Sequence, residues 1–261
     1  MTISFVGAGP GAPDLITLRG AQRLASADVV VWAASLVPES LLQHCREGVI
    51  LHDSKLMTFE EVCAIYAAYP EAAIVRLHTG DTSIFSAIGE QIDWCRRHER
   101  AFEVVPGVTS VSAAAAAAGC ELTLPGVAQT VVMTRLAQRT SASMPANETL
   151  ASAAGAAGTL ALFLSTGHVR EVVSQLTEGA AQLAPGTPVV LAHRASWPDE
   201  TIVRTTLAEL VDVVETGGFD STTMLLIGPA LASAVPPQRS HVYSSSYTTR
   251  FRASETRHID E

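Results

Sequence analysis

The sequence predicts an α/β protein of two α/β domains, the first built on a parallel five-stranded sheet over residues 1–119 and the second on a mixed sheet over 120–234. Three observations carry this prediction. Short apolar runs bounded by turn residues alternate with helix-compatible segments, the order that parallel strands and their crossover helices require. The chain is 48% hydrophobic but only 5% aromatic, so Ala, Val and Leu supply the apolar surface, as suits short buried strands under closely packed helices. Its 261 residues exceed the usual size of one α/β core.

In chain order, the runs at 3–7, 29–32, 49–52, 73–78 and 102–105 read as five strands. Helices are expected between them over 18–26, 59–69 and 84–98, each long enough to cross back over a sheet. Residues 110–119 are nearly all small and include six consecutive alanines, which favour a helix that approaches its neighbour closely. That helix ends the first domain near Gly119. After the turn at Leu124-Pro125-Gly126, strands are expected at 129–134, 159–164, 189–193, 201–205 and 223–228, with a helix near 148–157. The stretch 138–148, rich in Ser, Thr, Ala and Asn, reads as a mobile loop. Residues 235–261 open on Pro236-Pro237 and read as a polar tail, disordered or wrapped on a partner subunit.

The formal net charge of −9 argues against nonspecific binding to nucleic acid or to an anionic membrane. It leaves room for an anionic small molecule, since a few Arg or His side chains in one pocket outweigh a global excess that salt screens beyond about 8–10 Å. No apolar run reaches the ~18 residues of a membrane span, and the first residues lack a basic leader, so a cytoplasmic protein is expected. Cys45, Cys63, Cys95 and Cys120 are scattered without metal-ligand spacing, so no metal site is expected and they read as buried, reduced thiols.

Gly7-Ala8-Gly9-Pro10-Gly11-Ala12 lies between a strand and a helix and fits the G-x-G-x-x-G/A pattern of nucleotide-binding loops. Two details tell against a nicotinamide dinucleotide. Pro10 removes a backbone N–H from the loop that would cradle a pyrophosphate, and the second strand ends in Trp32-Ala33-Ala34-Ser35 with no acidic residue for a ribose. The alternative is a tight strand-to-helix turn whose glycines serve backbone geometry alone.

The string GAGPGAPDLITLRGAQRLASADVVVW at 7–32 resembles the opening of the tetrapyrrole methylases. HTGDTSIFSAIGEQ at 78–91, VVPGVTSVSAAAAAAG at 104–119, ALFLST at 161–166 and AHRASWPDETIVRTTL at 192–207 follow in that family's order and approximate spacing. Within the family the resemblance is closest to the branch methylating carbon 11 of precorrin-4, with or without cobalt. It rests on SLVPESLL at 35–42, His78-Thr79-Gly80-Asp81, CELTLPGVAQTVVMTR at 120–135 and Ser196-Trp197-Pro198-Asp199-Glu200. The competing acceptors are uroporphyrinogen III, another precorrin and a protein side chain, and a nucleotide-binding regulatory module is the alternative of another class.

The resemblance implies S-adenosylmethionine as cofactor, a tetrapyrrole substrate, a homodimer and a cleft between the two domains as the site. It places cofactor binding at Pro10, Gly80, Asp81, Ile84, Thr109, Ser110, Leu164, Ala195 and Met224. Several have a plainer reading: Asp81 caps a helix beginning near Ser83 or Ile84, Thr109 or Ser110 caps the next, and Leu164, Ala195 and Met224 are core residues. A substrate bearing many carboxylates calls for cationic and N–H donors, for which Arg135, Arg139, His193 and Arg194 are candidates beside the equally good reading of solvated charge. His52, His78 and Glu90 are considered as general bases, and none is assigned, because a lone His at a strand end is more often structural. The sulfonium methyl is already electrophilic, so no nucleophilic side chain is required of the protein.

Overall fold

A computed structural model describes residues 1–136, 144–145, 147–178, 180–232, 240 and 243–253. Most of the loop expected over 138–148, Arg139 with it, and much of the tail from 235 lie outside the described residues. The chain divides into two compact units. The first combines Met1–Gly119 with Leu191–Val203 and Phe219–Met224, and the second contains the described residues of Cys120–Val190, Arg204–Gly218 and those from Leu225 onward.

The first unit carries a five-stranded sheet of β1 (Ile3–Gly7), β2 (Val29–Trp32), β3 (Ile50–Asp53), β4 (Ile74–His78) and β5 (Phe102–Val105), in the order β3-β2-β4-β1-β5. The pairs β1/β4, β1/β5, β2/β3 and β2/β4 are all parallel. β1, β2 and β4 are central and read as almost unbroken apolar runs because both of their faces are covered. On one face Val6, Val30, Val75, Leu77 and Val105 pack with Leu24 of α1 (Leu18–Ala25) and Leu41. On the other, Ile3, Phe5, Val29, Val31 and Ile74 pack with Val62 and Tyr66 of α2 (Phe59–Ala68) and Cys95 of α3 (Ile88–Arg97). Tyr66 can be fully buried because its hydroxyl donates to Gln91 Oε1 at 2.7 Å. Left unpaired, that hydroxyl would cost about 1–3 kcal/mol.

Threonine side chains mark the starts of several helices. Thr17 caps α1 by accepting from Gly20 N–H, and Thr58 forms a reciprocal capping box with Glu61 at α2. Thr109 caps α4 (Ser110–Ala117) and Thr149 caps α5 (Leu150–Ala156). Each oxygen satisfies an N–H that the first helical turn leaves open.

The helix expected over 84–98 starts later, at Ile88. Phe85 and Ala87 both have φ near 50°, in the left-handed region that breaks a right-handed helix. Ser86 Oγ donates to the carbonyls of Asp81 at 2.8 Å and Ile84 at 3.1 Å, which stabilises a turn there instead. The thiols also depart from expectation: Cys63 and Cys95 are buried, but Cys45 and Cys120 are only partly covered.

The second sheet takes β6 (Val131–Arg135), β7 (Thr159–Phe163), β8 (Pro188–His193), β9 (Thr201–Thr206) and β10 (Thr223–Ile227) in the order β6-β7-β10-β8-β9. It is mixed, with β6 parallel and β10 antiparallel to β7. Helices α6 (Val169–Thr177) and α7 (Leu210–Gly217) complete the described α-helices, α7 stopping at Gly218 in the left-handed conformation.

Candidate cofactor site

The chain leaves β1, β4 and β5 at neighbouring points of one sheet, and the loops that follow are joined backbone to backbone. Ala8 N–H donates to the His78 carbonyl at 2.7 Å, while Gly9 and Gly80 exchange hydrogen bonds of 3.1 and 2.8 Å. A Cβ on Gly7 would stand 2.6 Å from Gly107 Cα, and one on Gly107 would stand 2.2 Å from the Gly80 carbonyl oxygen. Gly7 and Gly107 are therefore glycines because backbone occupies the space of their side chains. Gly80 differs. The nearest atom to a Cβ there is Ser110 N at 3.7 Å, an ordinary contact, and its φ of +65° is what disfavours a side chain. The room is there, and the backbone conformation sets the restriction.

Asp81 ties this crossing together. Its Oδ2 accepts from Gly107 N–H at 2.7 Å, and its Oδ1 accepts from Ser83 N–H at 2.8 Å and from the Ser83 hydroxyl. Burial pushes the carboxyl upward, but the hydrogen bonds from the Ser83 hydroxyl and from the N–H groups of Gly107, Ser83 and Thr82 outweigh it. The group is held below its ordinary value and ionised at neutral pH. Asp81 thus caps a turn rather than a helix, since the next helix begins at Ile88. Of the two residues considered as caps of α4, it is Thr109 that fills the role, accepting from Val111 N–H, and Ser110 is the first helical residue.

His78 lies directly behind this crossing. It is 7% exposed, and its Nε2 has no hydrogen-bond partner. Burial, with the Arg76 guanidinium nearby, pushes its pKa down to about 3. His78 is therefore neutral at physiological pH and packs near Phe5, with ring centroids 6.2 Å apart.

Pro10, Gly80, Asp81, Ile84, Thr109, Ser110, Ala195 and Met224 all belong to the first unit, whereas Leu164 belongs to the second. Pro10 and Gly80 are buried, and Ile84, Thr109 and Ser110 are partly covered. Ala195 is 7% and Met224 5% exposed. Leu164, just past β7, is 72% exposed with a left-handed φ of 51°. That is not the burial of a core residue.

Among the carboxylate-binding candidates, His193 Nδ1 is hydrogen-bonded to Thr223 Oγ1 at 2.9 Å. Arg194 pairs with Asp199 at 2.7 Å and lies over the Trp197 ring, 4.2 Å from its centroid. Arg135 ends β6. His52 Nε2 is buried without a partner, and Glu90 lies in the first turn of α3. Among the described residues, no group of three His, Cys, Asp or Glu side chains has the disposition of a metal site, and no helix is long and apolar enough to cross a membrane.

Sequence reasoning missed what holds the glycine-rich loop. Trp197 Nε1 donates to the Pro10 carbonyl at 3.0 Å, and Ala12 N–H donates to Ser196 Oγ at 3.0 Å. In the sequence, Ser196-Trp197 is only part of a family-like string, and nothing local links it to a loop more than 180 positions earlier.

Residues 2–211 match the family described as Tetrapyrrole (Corrin/Porphyrin) Methylases. A precorrin-4 C(11)-methyltransferase of Sinorhizobium sp is 39% identical over 97% of this chain and 98% of its own length. The solved structure of a cobalt precorrin-4 methyltransferase, a cobalamin biosynthetic enzyme, superposes with a TM-score of 0.84 at 41% identity, covering 88% of this chain and 96% of that one. A uroporphyrin-III C-methyltransferase from Thermus thermophilus, solved with S-adenosylhomocysteine, reaches a TM-score of 0.69 at 25% identity, covering 87% and 92%. With the family match spanning most of the chain and near full-length relatives beside it, this protein belongs to the tetrapyrrole methylases.

Proposed function

We propose that the protein transfers a methyl group from S-adenosylmethionine to carbon 11 of precorrin-4, giving precorrin-5 in cobalamin biosynthesis. The observation that carries this reading is the near full-length likeness, at 39% identity, to a protein named for that position, beside the likeness at 41% identity to a cobalt precorrin-4 methyltransferase. The cobalt-bearing macrocycle is accordingly the second reading. A cytoplasmic homodimer is part of the proposal, to be checked by cell fractionation and sedimentation.

The residues at the crossing suit the cofactor. Asp81 is ionised and can accept from an ammonium or a hydroxyl, and Gly80 leaves its backbone open to close approach. Thr109 and Ser110 add hydroxyls at the start of α4. Leu164, Ile84 and Met224 are proposed as apolar walls and Ala195 as a close backbone contact. Pro10, whose carbonyl is engaged by Trp197, contributes the shape of the loop. S-adenosylmethionine supplies an electrophilic methyl group, so the residues of this chain bind, orient and exclude water.

The test is transfer of a labelled methyl group followed by carbon-resolved NMR of the product. Methylation at carbon 11 of precorrin-4 or its cobalt form is expected, with uroporphyrinogen III left untouched. A macrocycle with different substitution presents the wrong atom to a displacement that needs close, in-line approach. Transfer to uroporphyrinogen III at carbons 2 and 7, with none to precorrin-4, would overturn the acceptor assignment and leave the family membership intact.

A further inference from the structure

We infer that Trp197 is a positioning residue for the glycine-rich loop after β1, and that Gly11 is a glycine because of Trp197 rather than because of a ligand. The inference rests on the cofactor reading above insofar as that loop belongs to the cofactor site. The loop and the turn between β8 and β9 both lie in the first unit. A Cβ on residue 11 would stand 2.2 Å from Trp197 Cδ1 and 2.4 Å from Nε1, closer than real Cβ atoms approach a non-bonded neighbour. The residues on either side of Gly11 are held as well. The Pro10 carbonyl accepts from the indole N–H, and the Ala12 N–H donates to Ser196 Oγ. One turn thus grips the loop at three consecutive residues, through a carbonyl, a surface contact and an amide.

The turn itself is built for this grip. Arg194 and Ser196 both hold left-handed φ angles, 49° and 69°, in residues that are not glycine, a conformation that persists only where surrounding contacts over-determine it. Those contacts are present. Ser196 N–H donates to Glu200 Oε2 at 2.6 Å, Trp197 N–H to the Arg194 carbonyl at 2.9 Å, and Arg194 N–H to the Thr222 carbonyl at 2.9 Å. Arg194, oriented by Asp199, covers one face of the indole. The polar residues of Ser196-Trp197-Pro198-Asp199-Glu200 therefore shape the turn or hold the loop. An exposed ion pair such as Arg194–Asp199 matters here less for stability than for fixing the ring.

The test is a double-mutant cycle in the full chain, read by calorimetric titration with S-adenosylhomocysteine and, without any ligand, by hydrogen exchange of peptides covering residues 7–12. Gly11→Ala and Trp197→Ala should each weaken binding about tenfold, because either displaces the loop by a fraction of an ångström to an ångström. Their combination should be no weaker than the worse single variant, since removing the indole removes the collision. Trp197→Phe keeps a ring but loses the N–H donor, and should cost about fivefold while folding normally. In the ligand-free protein, Trp197→Phe and Trp197→Ala should speed exchange in 7–12 and leave β3 unchanged. Multiplicative losses in the double variant, or unchanged exchange in both Trp197 variants, would overturn the inference. A wild-type protein that fails to bind S-adenosylhomocysteine would sink the cofactor reading instead, and the exchange data would still decide the grip.

Discussion

His78 and Asp81 stand three residues apart and are perturbed to opposite effect, Asp81 towards its charged form and His78 towards its neutral one. Asp81 stays ionised because four donors converge on it. His78 stays neutral because it is buried beside a guanidinium and its Nε2 finds no acceptor. The consequence for stability has a definite sign. In the unfolded chain His78 takes up a proton below about pH 6.5, whereas in the native protein it does so only near pH 3, so the unfolded state binds more protons throughout that window. His78 is therefore compatible with full stability above pH 6.5 and withdraws it progressively as pH falls, by at most about 1.4 kcal/mol per pH unit. Urea unfolding of the wild type and of His78→Gln at pH 7.5, 6 and 5 should show a shallower decline in the variant. Parallel declines would mean that His78 titrates normally in the folded state. The Asp81 contribution runs through a lower window, from about pH 4 downward, because its depressed pKa makes its stabilisation vanish only when the carboxylate is protonated.

Among the elements, α2 and α3 show how local chemistry and tertiary demand divide the work. The start of α2 is written locally: Thr58 accepts from Glu61 N–H at 3.3 Å, and Glu61 Oε2 accepts from Thr58 N–H at 2.7 Å. Thr58→Ala should cost about 1 kcal/mol, and chemical denaturation should show the loss in the midpoint with the slope unchanged. A loss below about 0.3 kcal/mol would mean that packing alone sets this end of the helix. The start of α3 is not written locally. Residues 84–87 have helix-compatible composition, and the turn there is held by Ser86 reaching back to the Asp81 carbonyl. That placement depends on Asp81 being anchored to Gly107, which lies beyond α3.

For the whole molecule, a ligand bound only by the native state raises stability by mass action, about 2.7 kcal/mol at a hundred times its Kd. S-adenosylhomocysteine should therefore raise the midpoint of thermal unfolding by several degrees, at about 2–4 °C per kcal/mol for a chain of this size, while NAD should not. A shift with NAD and none with S-adenosylhomocysteine would reverse the choice made at the glycine-rich loop. That choice rests on Pro10, which has no N–H for a pyrophosphate, and on the Trp32-Ala33-Ala34-Ser35 end of β2, which brings no acidic residue.

The ten strands among the described residues and the α/β class were legible because apolar spacing along a strand and small residues along a helix are properties of neighbours. The family was legible too, since several strings in a fixed order leave little room for chance. The glycines were legible only as glycines. Gly7, Gly11, Gly80 and Gly107 look alike in the sequence, but two face backbone, one faces an indole, and one has room around it with a left-handed φ. Likewise Asp81 as the tie to Gly107, and Trp197 as the hold on Pro10, join loops 26 and 187 positions apart. No local period encodes such meetings. They are decided by where the folded chain brings its loops together, and the tertiary structure alone contains that.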